Sequence, residues 1–316
     1  MVAVLAFDIG GTHMKSGIIG ADGALLSQMT VPSEAGEGRH AVIACVHRLY
    51  KHYTELAAQQ GWHIAAVGVG SAGYFDGMGK VAYATNNIPG WTGFDLRGYM
   101  EKLTRLPVVV ANDIYAIAGG EAWLGAGRGL RRFLCVALGT GIGACLWENG
   151  GPYRGDAGFA GAVGHQMIDR NGRVCTCGRK GCWETYASVL ALRSNLIKRD
   201  SELEKDNAWT TGGDPRRLFQ LARAGWPDAL ALVDEYAEHV AVGLANAIYA
   251  LDVEKIMIAG AISQQGAFLT DRIANRLQQT VIPMFRRPEL TVIPAELGDE
   301  AGIYGAAALA LSKCKQ

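Results

Sequence analysis

Residues 2–15 read V-A-V-L-A-F-D-I-G-G-T-H-M-K, and the fold is decided here. The apolar run 2–7 predicts a buried strand, with Asp8 at its carboxyl end. Gly10 and Gly11 let the chain turn with nothing on Cβ, and amide N–H groups in such a turn can face an anion. Thr12 adds a hydroxyl and Lys15 a positive charge. The residues that follow, M-K-S-G-I-I-G, predict a return strand over 14–19. The stretch therefore reads both as a β-hairpin and as a phosphate-holding turn. A-D-G at 21–23 predicts a second turn, into a third strand over 24–31.

Moving outward, the design repeats. Residues 132–138, F-L-C-V-A-L-G at 133–139, run into G-T-G-I-G at 139–143 and a return strand Ala144 to Trp147. Two copies of strand, glycine hairpin, hydroxyl and return strand predict two related halves, each offering one hairpin to a nucleotide's phosphates. Between them, apolar residues at helical spacing predict a helix over 38–60, stopped by Gly61. A buried strand over 64–70 ends in Ser71-Ala72-Gly73, and a loop rich in turn formers covers 83–93. Asp95 can cap a helix running to about Leu103. Pro107 to Ala111 forms the next strand, ending in Asn112-Asp113, and a helix follows. Alternation of strands and helices is α/β layering. Beyond the second hairpin, 151–183 reads as irregular, 184–198 as a helix and 199–215 as a polar connection. Helices are expected over 216–224, 227–251, 267–281 and 301–313, and strands over 256–259 and 290–294. Gly260 lies in the G-A-I-S turn after the first of these strands, where a base or ribose can rest.

Composition narrows the function. The 316 residues carry 30 basic and 30 acidic side chains, so bulk charge points to no nucleic acid and no anionic membrane. No apolar run is long enough to span a bilayer, and the chain enters its first strand with no basic, hydrophobic and cleavage-site leader. A cytoplasmic protein is expected. Of seven cysteines, Cys45, Cys135, Cys145 and Cys314 are scattered, and the first three read as buried inert thiols. Cys175, Cys177 and Cys182 are clustered, which in a reducing compartment argues for metal rather than disulfides. With His165 they give H-x9-C-x-C-x4-C, a set of four N/S ligands suited to structural zinc. Asp169 and Arg170 stand nearer the cysteines as competing polar groups.

Asp113 sits where a strand ends and a helix begins. Ligands in open α/β sheets bind outside the carboxyl ends of strands, so a carboxylate here is placed to take a proton from an attacking hydroxyl. The same position also suits a helix N-cap. Phosphoryl transfer needs positioning, a metal and one base near the acceptor, and two phosphate hairpins favour the first role.

Taken together, D-I-G-G-T-H-M-K, L-G-T-G-I-G, the pair N-D at 112–113, and G-H followed by C-T-C-G-R-K-G-C-W-E-T-Y-A-S resemble the ROK family (repressors, open reading frames and sugar kinases). The resemblance runs along almost the whole chain. The glycine hairpins alone would indicate only the wider hexokinase–actin–chaperone superfamily of ATPases; the cysteine motif is far more specific. It implies two actin-like (ribonuclease H-like) α/β domains with a cleft between them: a small one over 1–113, onto which a last helix at about 301–316 packs back, and a large one over 114–300 with a zinc loop at 165–182. It implies an ATP-dependent kinase acting on the 6-hydroxyl of a hexose, glucose or a close relative, with magnesium, structural zinc and a homodimeric assembly.

Carried over by position, Asp113 becomes the base. Asp8, Gly10, Gly11, Thr12 and Lys15 match the first phosphate loop, Thr140 and Gly141 the second, and Gly260 the turn near the adenosine. Asn112, His165 and Glu184 match sugar contacts, with Gly73 and Asn87 from the two preceding loops. His165 would then bind zinc through one ring nitrogen and face a hydroxyl with the other. The chain departs from the family at Ala162, where glucose kinases have a glutamate that reads hydroxyls near C1 and C2. An N-acetylmannosamine kinase is therefore the alternative. A-G-A-I-S at 259–263 also replaces a usual run of glycines. A sugar-responsive repressor would carry a helix-turn-helix ahead of the hairpin, and only seven residues precede Asp8, so a kinase is expected. A sugar binder without activity would lack the intact Asp8, Asp113 and hairpins.

Overall fold

A computed structural model describes residues 1–84, 87–202 and 210–314, with residues 202 and 314 as backbone only. Positions 85–86 of the expected loop 83–93, 203–209 of the expected connection, the last two residues and the Cys314 side chain lie outside the described residues.

In chain order the strands and helices are β1 (Val2–Ile9), β2 (His13–Gly20), β3 (Leu25–Pro32), α1 (Arg39–Gln60), β4 (His63–Ser71), β5 (Tyr74–Phe75), β6 (Val81–Tyr83), α2 (Leu96–Thr104), β7 (Val108–Asn112), α3 (Asp113–Leu124), β8 (Arg132–Leu138), β9 (Ile142–Glu148) and β10 (Gly151–Pro152), then α4 (Glu184–Ala187), α5 (Val189–Glu202), α6 (Pro215–Arg223), α7 (Pro227–Leu251), β11 (Lys255–Ala259), α8 (Ala267–Thr280), β12 (Thr291–Pro294) and α9 (Ala301–Cys314). Two five-stranded sheets result, ordered β3-β2-β1-β4-β7 and β10-β9-β8-β11-β12. The two orders are the same pattern, a three-strand run followed by two crossover strands. The repeated hairpin thus marks a repeated α/β sheet. Among the described residues no helix is long and apolar enough to cross a membrane.

Described residues divide into two compact units: Met1–Arg131 with Cys145–Ala160 and Asp299–Gln316, and Arg132–Ala144 with Gly161–Gly298. The division falls within β9. In the first unit β1 pairs antiparallel with β2 and parallel with β4, and β4 pairs parallel with β7. One sheet face buries Leu5, Phe7, Ile9 and Val67 against Val42, Val46 and Leu49 of α1. The other face buries Val4, Ala6, Ile19 and Ala66 against Ile303, Ala306, Ala307 and Ala310 of α9. Alternation along β1 sends successive residues to opposite faces, so an unbroken apolar run is what a strand covered on both sides requires.

Helix α9 crosses α3 with the backbones nearly touching. A Cβ added at Gly305 would lie 1.5 Å from the Ala116 carbonyl oxygen and 2.6 Å from the Gly120 nitrogen, and one at Gly120 would lie 2.3 Å from the Ala301 carbonyl oxygen. Only residues without a side chain permit that approach.

In the second unit β8, β11 and β12 run parallel. Helix α7 buries Val233, Tyr236, Val240 and Leu244. Two details depart from the pattern read in the sequence. The helix expected over 184–198 is two helices, because Ser188 adopts an extended backbone with ψ 159° between them, while its hydroxyl takes the N–H of Ala191. The second of the two then runs on to Glu202, into the expected connection. Strands β5 and β6 form a small antiparallel pair, too short for any periodicity to show.

Candidate functional site

Register brings the carboxyl ends of β1, β4 and β7 level: Asp8 lies beside Gly70, Gly70 beside Ala111, and Ser71 beside Asn112. The helix α3 then starts at Asp113. Its N-cap is Asn112, whose Oδ1 takes the N–H of Ile114 at 3.0 Å, while Asn112 Nδ2 donates to the Gly73 carbonyl at 2.7 Å. Asp113 Oδ1 also accepts from Ile114 at 2.8 Å. Capping therefore falls to Asn112, and Asp113 is the first helical residue. Burial pushes the Asp113 carboxyl up to about 6, against the pull of the backbone N–H groups. Burial, and next the charge of Asp113, push Asp8 up to about 7, with Lys15 pulling the other way. The negative charge of Asp113 is thus felt at Asp8, as expected of a like charge close by.

Asp8 also lies under the start of α9. A side chain on Gly302 would put its Cβ 2.3 Å from Asp8 Oδ2, so glycine there makes room for the carboxylate beside the positive end of a helix. Lys15, the cross-strand partner of Asp8, donates to the Asp299 carbonyl at 2.8 Å and lies 3.4 Å from Asp299 Oδ1. This partner is far off in sequence and gives no local signal there. The β1–β2 turn is closed by Gly10 N–H to the His13 carbonyl at 3.0 Å. Thr12 is exposed at its tip, and Gly11 lies 3.7 Å (as an added Cβ) from Asn87, which is itself exposed. So Asp8, Gly10, Gly11, Thr12, Lys15, Gly73, Asn87, Asn112 and Asp113 all fall in the first unit.

The remaining candidates fall in the second. The turn after β8 is closed by Gly139 N–H to the Gly141 carbonyl at 3.0 Å, leaving Thr140 exposed. Gly260, at φ +87°, packs where a Cβ would be 2.7 Å from the Leu138 carbonyl oxygen. The turn after β11 and the hairpin after β8 are thus neighbours.

His165 ends a short 3-10 turn over Val163–His165. The ligand atoms of His165, Cys175, Cys177 and Cys182 lie within 4.8 Å of one another. Cys177 Sγ and Cys182 Sγ are 3.6 Å apart, and Cys175 Sγ is 3.7 Å from His165 Nδ1. With zinc–sulfur bonds of about 2.3 Å and zinc–nitrogen bonds of about 2.0 Å, the edges of a tetrahedral site are about 3.5–3.8 Å. These two separations match the edges of such a site, and the other pairs of ligand atoms lie within 4.8 Å. The Cys177 N–H points at Cys175 Sγ at 3.5 Å. Asp169, the competing polar group, is used elsewhere: it accepts from the Asn171 N–H and the Tyr186 hydroxyl. Trp183, fully buried, donates its indole N–H to the His239 carbonyl and so fixes the chain beside Cys182 on α7. Cys45, Cys135 and Cys145 are buried thiols outside any disulfide.

Glu184 touches both features. Its Oε1 lies 3.0 Å from Cys175 Sγ and 3.5 Å from His165 Nδ1, and its Oε2 takes the Ile142 N–H at 3.4 Å. Nδ1 of His165 is thus the nitrogen turned to the cluster.

Compared with known proteins, residues 4–313 match the model of the ROK family. The chain belongs to the ROK family. Glucokinases of Streptomyces coelicolor and Thermotoga maritima are 33% and 30% identical to it, over 98% and 97% of this chain and 98% and 96% of theirs. Among solved structures, a ROK family glucokinase from Streptomyces griseus in complex with glucose and AMPPNP superposes with a TM-score of 0.84 at 31% identity, covering 98% of this chain and 99% of that one. Likeness over the full length to such ROK proteins supports a sugar kinase with an actin-like α/β fold, and the cysteine–histidine cluster is compatible with zinc.

The cluster makes one expectation directly measurable. Cys177→Ser should lower bound zinc from about one ion per chain to well under a tenth, because a hydroxyl is a poor substitute for a thiolate ligand. Elemental analysis after gel filtration reads this out, and full zinc retention would remove Cys177 from the ligand set.

Proposed function

We propose that the protein is an ATP-dependent hexose kinase that phosphorylates the 6-hydroxyl of glucose or a close relative. The observation that carries this reading is Asp113: a carboxylate at the end of β7, next to the helix N-cap Asn112, that burial raises to about 6. A base of that strength is largely ionised at neutral pH and still basic enough to accept a hydroxyl proton. Asp113 takes the proton as the sugar oxygen attacks the γ-phosphorus; the bond to the β–γ bridging oxygen breaks, and ADP leaves with its electron pair. Gly11 and Thr12, and Thr140 and Gly141, offer backbone N–H groups and hydroxyls to the phosphates, and Gly10, whose N–H closes the first turn, lets the chain fold tightly beneath them. Gly260 leaves space for the adenosine. Lys15 reaches a phosphate only by leaving Asp299.

Asp8 and Asp113 crowd negative charge that a divalent cation would offset, and Asp8 is the residue proposed to hold magnesium. When bound, the ion neutralises charge on the transferring phosphoryl group. Asn112, His165 and Glu184 are the proposed sugar contacts, with Gly73 and Asn87 flanking. For His165, the nitrogen left for a hydroxyl is Nε2. Zinc, held by His165, Cys175, Cys177 and Cys182, would be structural, since four protein ligands fill a tetrahedron. A homodimer in the cytoplasm completes the reading.

Ala162 favours the second reading, an N-acetylmannosamine kinase, because a methyl cannot accept from a sugar hydroxyl. A coupled ADP-release assay over glucose, mannose, N-acetylglucosamine and N-acetylmannosamine tests both. No turnover with any of them would overturn the kinase. Ala162 is exposed, so Ala162→Glu meets no packed neighbour. It should shift the kcat/KM ratio about tenfold towards glucose, one hydrogen bond's worth of discrimination. An unchanged ratio would show that the position does not set preference.

A further inference from the structure

We infer that Glu184 is a positioning residue that ties the second glycine hairpin to the metal loop, so that metal occupancy governs how firmly the hairpin holds a nucleotide. The nucleotide part rests on the reading of residues 139–142 as a phosphate loop; the mechanical part does not.

Three contacts carry it. The carboxylate is divided between two tasks, with Oε2 on the Ile142 N–H at 3.4 Å and Oε1 facing Cys175 Sγ at 3.0 Å and His165 Nδ1 at 3.5 Å. Its side chain is only 15% exposed, so water competes little for either oxygen. At Gly141 an added Cβ would lie 2.7 Å from Oε2. The hairpin therefore lacks a side chain at the point where the carboxylate lies against it. A few residues on, the Val189 N–H donates to the Gly139 carbonyl at 2.9 Å. Segment 184–189 thus grips the hairpin at both of its ends, Gly139 and Ile142, and leaves the Thr140 tip exposed.

The other end of the linkage is the cluster itself. Glu184 follows Cys182 by two positions, and its Oε1 faces two of the four ligand residues. An ion that takes the Cys175 thiol proton's place and His165 Nδ1 leaves Oε1 no donor among the ligands, so the carboxylate settles on the Ile142 N–H. Without the ion the Cys175 thiol and His165 Nδ1 compete for the carboxylate, and its hold on the Ile142 amide is divided. The hairpin then has to be ordered by the nucleotide at the nucleotide's expense.

The test uses full-length protein with zinc loaded or stripped by a chelator, as wild type, Glu184→Ala and Glu184→Gln, all without sugar. Hydrogen exchange of the amides at 139–143 and the calorimetric dissociation constant for ADP are measured, with zinc content confirmed in each sample. Stripping zinc from wild type should speed exchange of the hairpin amides about tenfold and weaken ADP by a similar factor, the effect of losing one charge-assisted hydrogen bond. Glu184→Ala with zinc bound should do the same, and stripping zinc from that variant should add little, since coupled groups are not additive. Glu184→Gln keeps an oxygen for the Ile142 N–H and should recover most of the loss. Unchanged hairpin exchange in Glu184→Ala with zinc bound, or losses that simply add, would overturn the coupling. If ADP binds no form of the protein, the phosphate-loop reading fails, and the exchange data still decide whether Glu184 links hairpin and metal. If Glu184→Ala does not fold, the wild-type zinc comparison and Glu184→Gln decide it: exchange insensitive to zinc overturns the proposal.

Discussion

Asp113→Asn is expected to lower kcat by about 10²–10⁴-fold, the contribution of a positioned general base, while the sugar dissociation constant changes by less than about threefold. Asn keeps the oxygen that accepts from Ile114 and keeps the helix start intact, so the loss is in proton transfer. Single-turnover rates and calorimetry with sugar separate the two quantities, and a near-normal rate would place the base elsewhere. The same change should make the protein more stable. Both Asp113 and Asp8 have carboxyls raised by burial, to about 6 and about 7. For such groups the folded protein binds more protons than the unfolded chain. Stability is fully present below about pH 4 and is lost as pH rises through 6 and 7. At pH 8 the ionised Asp113 costs on the order of 2–3 kcal/mol, from a shift of about two pH units at 1.36 kcal/mol each. Asp113→Asn removes that cost and also takes one negative neighbour from Asp8. Denaturant melts at pH 8 should show the gain, and at pH 4 almost none. In wild type kcat/KM should rise with pH through about 6, as the base ionises.

Gly305→Ala should be the most damaging single methyl in the first unit. Its Cβ would fall 1.5 Å from the Ala116 carbonyl oxygen and 2.6 Å from the Gly120 nitrogen, and both are backbone atoms that no rotamer change can move. The helices α3 and α9 must separate, which opens packing along Ile303, Ala306 and Ala307 against the sheet. Overpacking usually costs 1–3 kcal/mol; with rigid atoms on both sides, about 3 kcal/mol or more is expected, and a fall in Tm on the order of 10 °C. Activity at low temperature should fall too, because α3 carries Asp113 and α9 starts over Asp8. Gly36→Ala is the control: nothing lies within 4 Å of a Cβ there, and Tm should stay within about 2 °C. Equal melting of the two variants would show that the crossing is softer than its geometry says.

Much of this was readable in the residues because the signals are local. An unbroken apolar run before Asp8, and another before Gly139, announce strands buried on both faces, and the glycines that follow announce turns. The spacing of Cys175, Cys177 and Cys182 puts three candidate metal ligands within a few residues, and His165 joins them in the structure. What stayed hidden depends on residues distant in sequence. Lys15 is partnered by Asp299, and Asp8 is accommodated by Gly302, neither of which any spacing relates. Glu184 enters the sequence reading only as a sugar contact implied by the resemblance, and nothing there relates it to Ile142. Nor does a helical pattern reveal that Ser188 breaks it, since a serine hydroxyl serves an interior position and a cap alike.

The cover that α9 lays over Val4, Ala6, Ile19 and Ala66 has a consequence for synthesis on the ribosome. Strands β1 to β7 emerge early, yet one face of their sheet has no lid until the final helix leaves the exit tunnel. The second unit, Arg132–Ala144 with Gly161–Gly298, comes from a nearly continuous stretch and is made before that helix. At the usual 5–20 residues per second the early sheet waits on the order of ten seconds with apolar surface uncovered. The nascent chain is thus exposed to chaperone capture at its beginning rather than at its end, and the order of birth is not the order of completion.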